Sequence, residues 1–235
     1  MKTSARIAGI VFVALFLIEV CFLVLRVETV HPVVKPLLIP SLAVAALCCL
    51  LPEQRGRKAV WLAVALALHT AGDVLLLLDS GGFIFFAAGL GCFLLGHVCY
   101  LVILLGGLGA LRGWKEILCL LVPPVLALVA VSFFEVSGAL RVVLVVYALV
   151  LLDVTASGAL WLLRGRQMGW RILVGGLLFV TSDAVLALNA FNGVEFALRH
   201  AVVMGTYLAA EWLIVSGIVR DATGACLPRR GRRTA

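Results

Sequence analysis

AVWLAVALALHTAGDVLLLL, residues 59–78, settles the architecture. Twenty consecutive residues are apolar or small apart from His69, Thr70 and Asp73. A helix rises about 1.5 Å per residue, so this run spans the roughly 30 Å hydrocarbon core of a bilayer. It is bounded by the charged stretch EQRGRK (53–58) and the turn DSGG (79–82). Seven further runs share its length and its richness in Leu, Val and Ala. The spans read as 6–27, 32–51, 59–78, 83–105, 115–134, 139–163, 171–191 and 197–219. None shows the roughly ten-residue alternation of barrel strands, and a bilayer admits only helices or closed barrels.

Composition agrees. Of the 235 residues, 64% are hydrophobic and 13% charged, against about half and a quarter in soluble domains. The expected fold is an all-α, polytopic membrane helical bundle of about eight transmembrane helices. Residues 1–222 form a single transmembrane domain and 223–235 a basic tail. Lys2 and Arg6 precede the first span as in a signal peptide, but no small-residue cleavage site closes it. It reads as an uncleaved span.

The net charge is +7, and the basic residues cluster in loops and the tail, so membrane lipids rather than nucleic acid are the expected partners. With the N-terminus inside, only Arg26, Lys35, Arg141 and Arg199 of the 19 Lys and Arg residues fall on the outer side. Every inner segment after the first, which ties with its outer neighbour, is richer in Lys and Arg than the outer segments beside it. The N- and C-termini are therefore expected to be cytoplasmic, with the chain in the plasma (inner) membrane. RRGRR (229–233) would rest on anionic headgroups. The seven cysteines form no CxxC pair, so neither a disulfide framework nor a metal site is expected. No cofactor is expected, and oligomeric state is open.

Ionisable groups inside a span cost about 2.5–3.5 kcal/mol on the insertion scale and mark functional sites by default. Here they are Glu19, Lys35, His69, Asp73, His97, Asp153, Asp183 and Glu211, joined by Tyr100, Tyr147 and Tyr207. Helical spacing puts His69 with Asp73, His97 with Tyr100, and Tyr207 with Glu211 on shared faces. Those polar edges should converge on one interior cavity. Asp73 and Asp183 fall at similar depth, near or just outside the midplane. Lys35 lies one turn into its span, able to snorkel outward or to reach a headgroup. LHTAGDVLLLL (68–78) resembles FVTSDAVLALN (179–189), which suggests two four-helix halves.

Several of these segments are also similar to the YhhN-like lysoplasmalogenases. The resemblance runs through VVKPLLIPSLA (33–43), AGDVLLLL (71–78), FLLGHVCYLVILL (93–105), LLFVTSDAVLALNAF (177–191) and TYLAAEWLI (206–214), in that order. It implies an eight-span membrane hydrolase that cleaves the vinyl ether bond of a lysophospholipid. The products are a fatty aldehyde and glycerophospho-ethanolamine or -choline. By motif match the family's polar positions fall on Lys35, Asp73, His97, Tyr100, Ser182, Asp183 and Tyr207. Relatives often carry YY and Gln in the last motif, where this chain has Tyr207-Leu208 and Glu211.

The residues suit that chemistry. Vinyl ether hydrolysis needs an acid that protonates the β-carbon and a carboxylate that stabilises the oxocarbenium ion and orients water. Two carboxyls in an apolar setting can divide these tasks, as in two-carboxylate glycosidases. Asp73 and Asp183 are the expected pair, sharing a proton unequally. His97 and Tyr100 would orient a carboxyl or the water, Tyr207 and Glu211 line the cavity, and Lys35 contact the phosphate. The same intramembrane groups also fit a proton- or ion-coupled transporter, or a lipid-binding protein without turnover.

Overall fold

The computed structural model describes residues 3–27, 29–50, 56–78, 83–106 and 108–224. The start of EQRGRK, the DSGG turn, the RRGRR run and Cys226 lie outside the described residues. Eight helices fill the described chain: α1 (Thr3–Val24), α2 (His31–Cys49), α3 (Arg57–Leu77), α4 (Phe83–Leu105), α5 (Trp114–Ser132), α6 (Gly138–Leu163), α7 (Gly169–Asn192) and α8 (Arg199–Ala222). All eight are long and apolar enough to cross a membrane. Their bounds match the expected spans to within a few residues.

The helices run alternately, so α1 begins and α8 finishes at one end of the bundle, called here the terminal end. The other, the distal end, holds the α1–α2, α3–α4, α5–α6 and α7–α8 connections. The closest-packed pairs run α1–α2–α3–α4–α6–α7–α8 and back to α1, which closes a ring of seven helices. Helix α5 stands outside the ring and packs principally on α6. Contacts α1–α8, α2–α8 and α4–α6 tie the first four helices to the last four.

The outward faces are apolar: Ile10 is 68% exposed, Val33 67% and Ile84 74%. Water would oppose such a surface, whereas lipid accepts it. Because lipid is as apolar as leucine, helices associate there through close packing rather than hydrophobic expulsion. Glycines make that packing possible between α6 and α7. A β-carbon on Gly158 would stand 2.3 Å from the Leu173 amide nitrogen, and one on Gly176 2.4 Å from Thr155 Oγ1. Gly158→Ala should therefore force α6 and α7 apart, at about 1–3 kcal/mol for an overpacked contact. A lowered unfolding temperature in detergent checks this, and an unchanged one would contradict it.

The terminal end is held by charge. Arg164, just past α6, donates to both Glu116 carboxylate oxygens at 3.0 and 2.8 Å, and to the Leu108 and Ala110 carbonyls. Arg166, between α6 and α7, pairs with Asp221 of α8, its guanidinium 3.5 Å above the Trp161 ring. The α7 helix stops at the distal end on Gly193, whose φ of 64° suits a residue without a side chain. At that end Glu19 of α1 is bonded to His31 of α2.

Candidate functional site

Between the ring helices and α5 lies a cavity of about 640 Å³, within the usual range for ligand sites. Its walls are apolar apart from Lys35, Asp73, Tyr147, Ser182, Asp183 and Tyr207. The two aspartates thus open onto one chamber, from α3 and α7.

Each carboxyl has its own setting. Asp73 is almost fully buried; its Oδ2 accepts a hydrogen bond from the Tyr207 hydroxyl at 2.8 Å. Its Oδ1 lies 3.6 Å from the Lys35 ammonium. Lys35 is itself buried, so it does not snorkel to the interface, and the group it meets is Asp73. Asp183 is half-buried, and its Oδ2 accepts from the Tyr147 hydroxyl at 2.5 Å. The two aspartates are therefore held by different tyrosines. Ser182 turns toward α8 and donates to the Val203 carbonyl at 3.0 Å, which fixes the register of the neighbouring Asp183.

Behind the cavity wall is a second polar cluster. Glu211, fully buried, accepts from His69 Nδ1 at 2.5 Å and from the Tyr100 hydroxyl at 2.7 Å. Tyr100 thus orients Glu211, and neither lines the cavity. His97 donates from Nδ1 to the Phe93 carbonyl of its own helix at 2.8 Å, so it holds no cavity carboxyl. The rings of His69 and His97 are 4.9 Å apart, and Nε2 of each is buried with no hydrogen-bond partner among the described residues. Phe179 packs edge-on to His97 at 4.4 Å and to Tyr207 at 5.3 Å, and also lines the cavity. It separates the buried cluster from the open chamber. Gly96 makes room for His69: a β-carbon there would fall 2.2 Å from Nε2.

Helical spacing put these residues on shared faces; the structure assigns each its partner. His69 and Asp73 share a face of α3, yet one reaches Glu211 and the other Tyr207 and Lys35. Tyr147 gained no role from the sequence. Helix α6 is apolar almost all round, so no periodicity marks which side faces inward. The one available signal was a hydroxyl placed deep within a span.

Residues 30–218 match the YhhN family. The chain belongs to the YhhN family. Comparisons with curated proteins and with solved structures return no match. The YhhN match takes in every residue that lines the cavity and the whole Glu211 cluster, but not α1. Glu19 accordingly falls outside the YhhN region, and its bond to His31 fastens α1 to the distal end of α2.

Proposed function

We propose that this YhhN protein is a membrane hydrolase that cleaves the vinyl ether bond of a lysoplasmalogen. It would release a fatty aldehyde and glycerophospho-ethanolamine or -choline. The observation that carries the reading is the presence of two carboxyls with unlike partners in one apolar cavity. Lys35 sets a cation beside Asp73. Among the described residues Asp183 has a tyrosine and no cation beside it, which suits it to carry the transferable proton.

In this reading the Tyr147 hydroxyl occupies Oδ2 of Asp183 and leaves Oδ1 to bear the proton. That proton passes to the β-carbon of the alkenyl ether, and the adjacent carbon becomes an oxocarbenium ion. Asp73 stabilises the cation and accepts a proton from the water that adds to it. The resulting hemiacetal loses the glycerol oxygen as an alcohol and leaves the aldehyde, so the net reaction consumes one water. Release of the proton held by Asp73 and uptake of one by Asp183 reset the site. The apolar walls keep the cation from bulk water and supply a low-dielectric setting in which the Asp73 charge acts strongly.

The test is purified protein in nanodiscs incubated separately with 1-alkenyl, 1-alkyl and 1-acyl lysophosphatidylethanolamine, with products read by mass spectrometry. Aldehyde should appear from the alkenyl lipid alone. Intact alkenyl lipid after many hours, with correctly folded protein, would refute the proposal.

A further inference from the structure

The cavity occupies one half of the bundle. Its lining comes from the last residues of α3 (Asp73, Leu76) and the first half of α4 (Phe86 to Phe93). Lys35 early in α2, Leu144 to Leu152 of α6, and residues from Leu126 onward in α5, from Phe179 onward in α7 and early in α8 complete it. In helices of alternating direction these positions run from the middle of the bundle toward the distal end, away from both termini. The Lys and Arg distribution makes that end non-cytoplasmic.

Depth points the same way. Asp73 precedes Leu77, the end of α3, by four residues, a rise of about 6 Å. Asp183 precedes the end of α7 by nine residues, about 13 Å. Both therefore fall within the distal half of a hydrocarbon core about 30 Å thick. The first ether linkage of a single-chain phospholipid sits just beneath its headgroup, at this level for a lipid in the distal leaflet. A lipid from the other leaflet would have to carry a charged headgroup past the midplane.

Between α4 and α5 the packing is sparse. Helix α5 packs principally on α6, and its packing on α4 is slight at most. The corner is filled instead by three phenylalanines that line the cavity: Phe86 of α4, Phe134 beyond α5 and Phe191 of α7. The Phe191 ring lies 5.9 Å from Phe86 and 6.3 Å from Phe134. Their contacts are dispersive and give way one side chain at a time. Within α5, Pro123 and Pro124 sit just before the cavity-lining half and withhold two backbone amides. A helix yields most readily at such a point.

We propose that the cavity is loaded laterally from the non-cytoplasmic leaflet, through a portal between α4 and α5 stoppered by Phe86, Phe134 and Phe191. The identity of the occupant as a single-chain phospholipid rests on the function proposed above; the direction of entry rests on the placement of the cavity.

The probe is a 1-acyl lysophosphatidylethanolamine with a diazirine near the end of its chain, which has no vinyl ether to cleave. It is added to the outer leaflet of proteoliposomes sorted by accessibility of a C-terminal tag. Protein with its termini inside should be photolabelled at least several-fold more than protein with its termini outside. The labelled peptides should come from Phe86–Phe93, Leu126–Phe134 or Phe179–Phe191. Phe191→Ala should speed labelling a few-fold without changing the amount of folded protein. In cells, a C-terminal green fluorescent fusion should fluoresce, as it does only in the cytoplasm.

Equal or reversed labelling of the two orientations would overturn the proposal, as would a C-terminus found outside. Phe191→Ala labelling at the parental rate would remove the stopper. Because the probe is not hydrolysed, absent aldehyde release in the separate assay would sink the hydrolase reading and leave the portal standing.

Discussion

Asp183→Asn is expected to lower aldehyde release from 1-alkenyl lysophosphatidylethanolamine by about a thousandfold, within the range that general-acid catalysis contributes. The substitution changes little else. Asparagine has the same shape, its carbonyl oxygen can still accept the Tyr147 hydroxyl found at 2.5 Å from Asp183, and the side chain stays in the cavity. What it lacks is a carboxyl proton to give. Tyr147→Phe should be milder, about ten- to a hundredfold, because the acid survives and only its orientation is lost. Asp73→Asn should also lose most turnover, but with a structural cost, since it leaves the buried Lys35 ammonium without its carboxylate. Single-turnover kinetics in nanodiscs, with elution profile and thermal unfolding as controls, separates these outcomes. Turnover of Asp183→Asn within a few-fold of the parent would remove Asp183 from the chemistry.

Glu211→Ala should be the most destabilising of the polar substitutions, by about 3–5 kcal/mol, the usual result of removing one partner from a buried charged pair. The loss strands two donors at once. His69 Nδ1 and the Tyr100 hydroxyl both point at the Glu211 carboxylate from fully buried positions, and His69 Nε2 already has no partner. At such fully buried positions each stranded donor carries its desolvation cost. Glu211→Gln should cost much less, because its carbonyl oxygen can still accept one of the two bonds. The measurement is the midpoint of thermal unfolding in a fixed detergent. A Glu211→Ala protein as stable as the parent would show that the cluster does not hold α3, α4 and α8 together. The Glu211 and Asp183 variants should thus fail differently, one in stability and the other in turnover.

The membrane architecture was legible because it follows from counting. Twenty apolar residues at 1.5 Å each cross a bilayer whatever surrounds them, and basic residues collect in connections regardless of how helices pack. The candidate polar residues were legible for a related reason: an Asp or Glu inside a span is too costly to be incidental. Partnership was not legible. Lys35, expected to contact a phosphate, stands on the cavity wall beside Asp73, while Glu211 was expected on that wall and lies behind Phe179 with His69 and Tyr100. Spacing along one helix tells which side chains share a face. It is silent on which neighbour that face meets.

From its sequence alone, then, this chain declared eight apolar helices, a set of intramembrane polar groups and membership in a recognisable resemblance, because each depends on local length, cost or order. Only the folded bundle decided that α5 stands outside the ring, that Tyr147 and Tyr207 divide the two aspartates, and that the cavity belongs to the distal half. Those facts depend on the rotation of each helix about its axis. In α6, apolar nearly all round, that rotation is set by where Gly158 lets the Leu173 backbone approach, a contact between residues of two different helices.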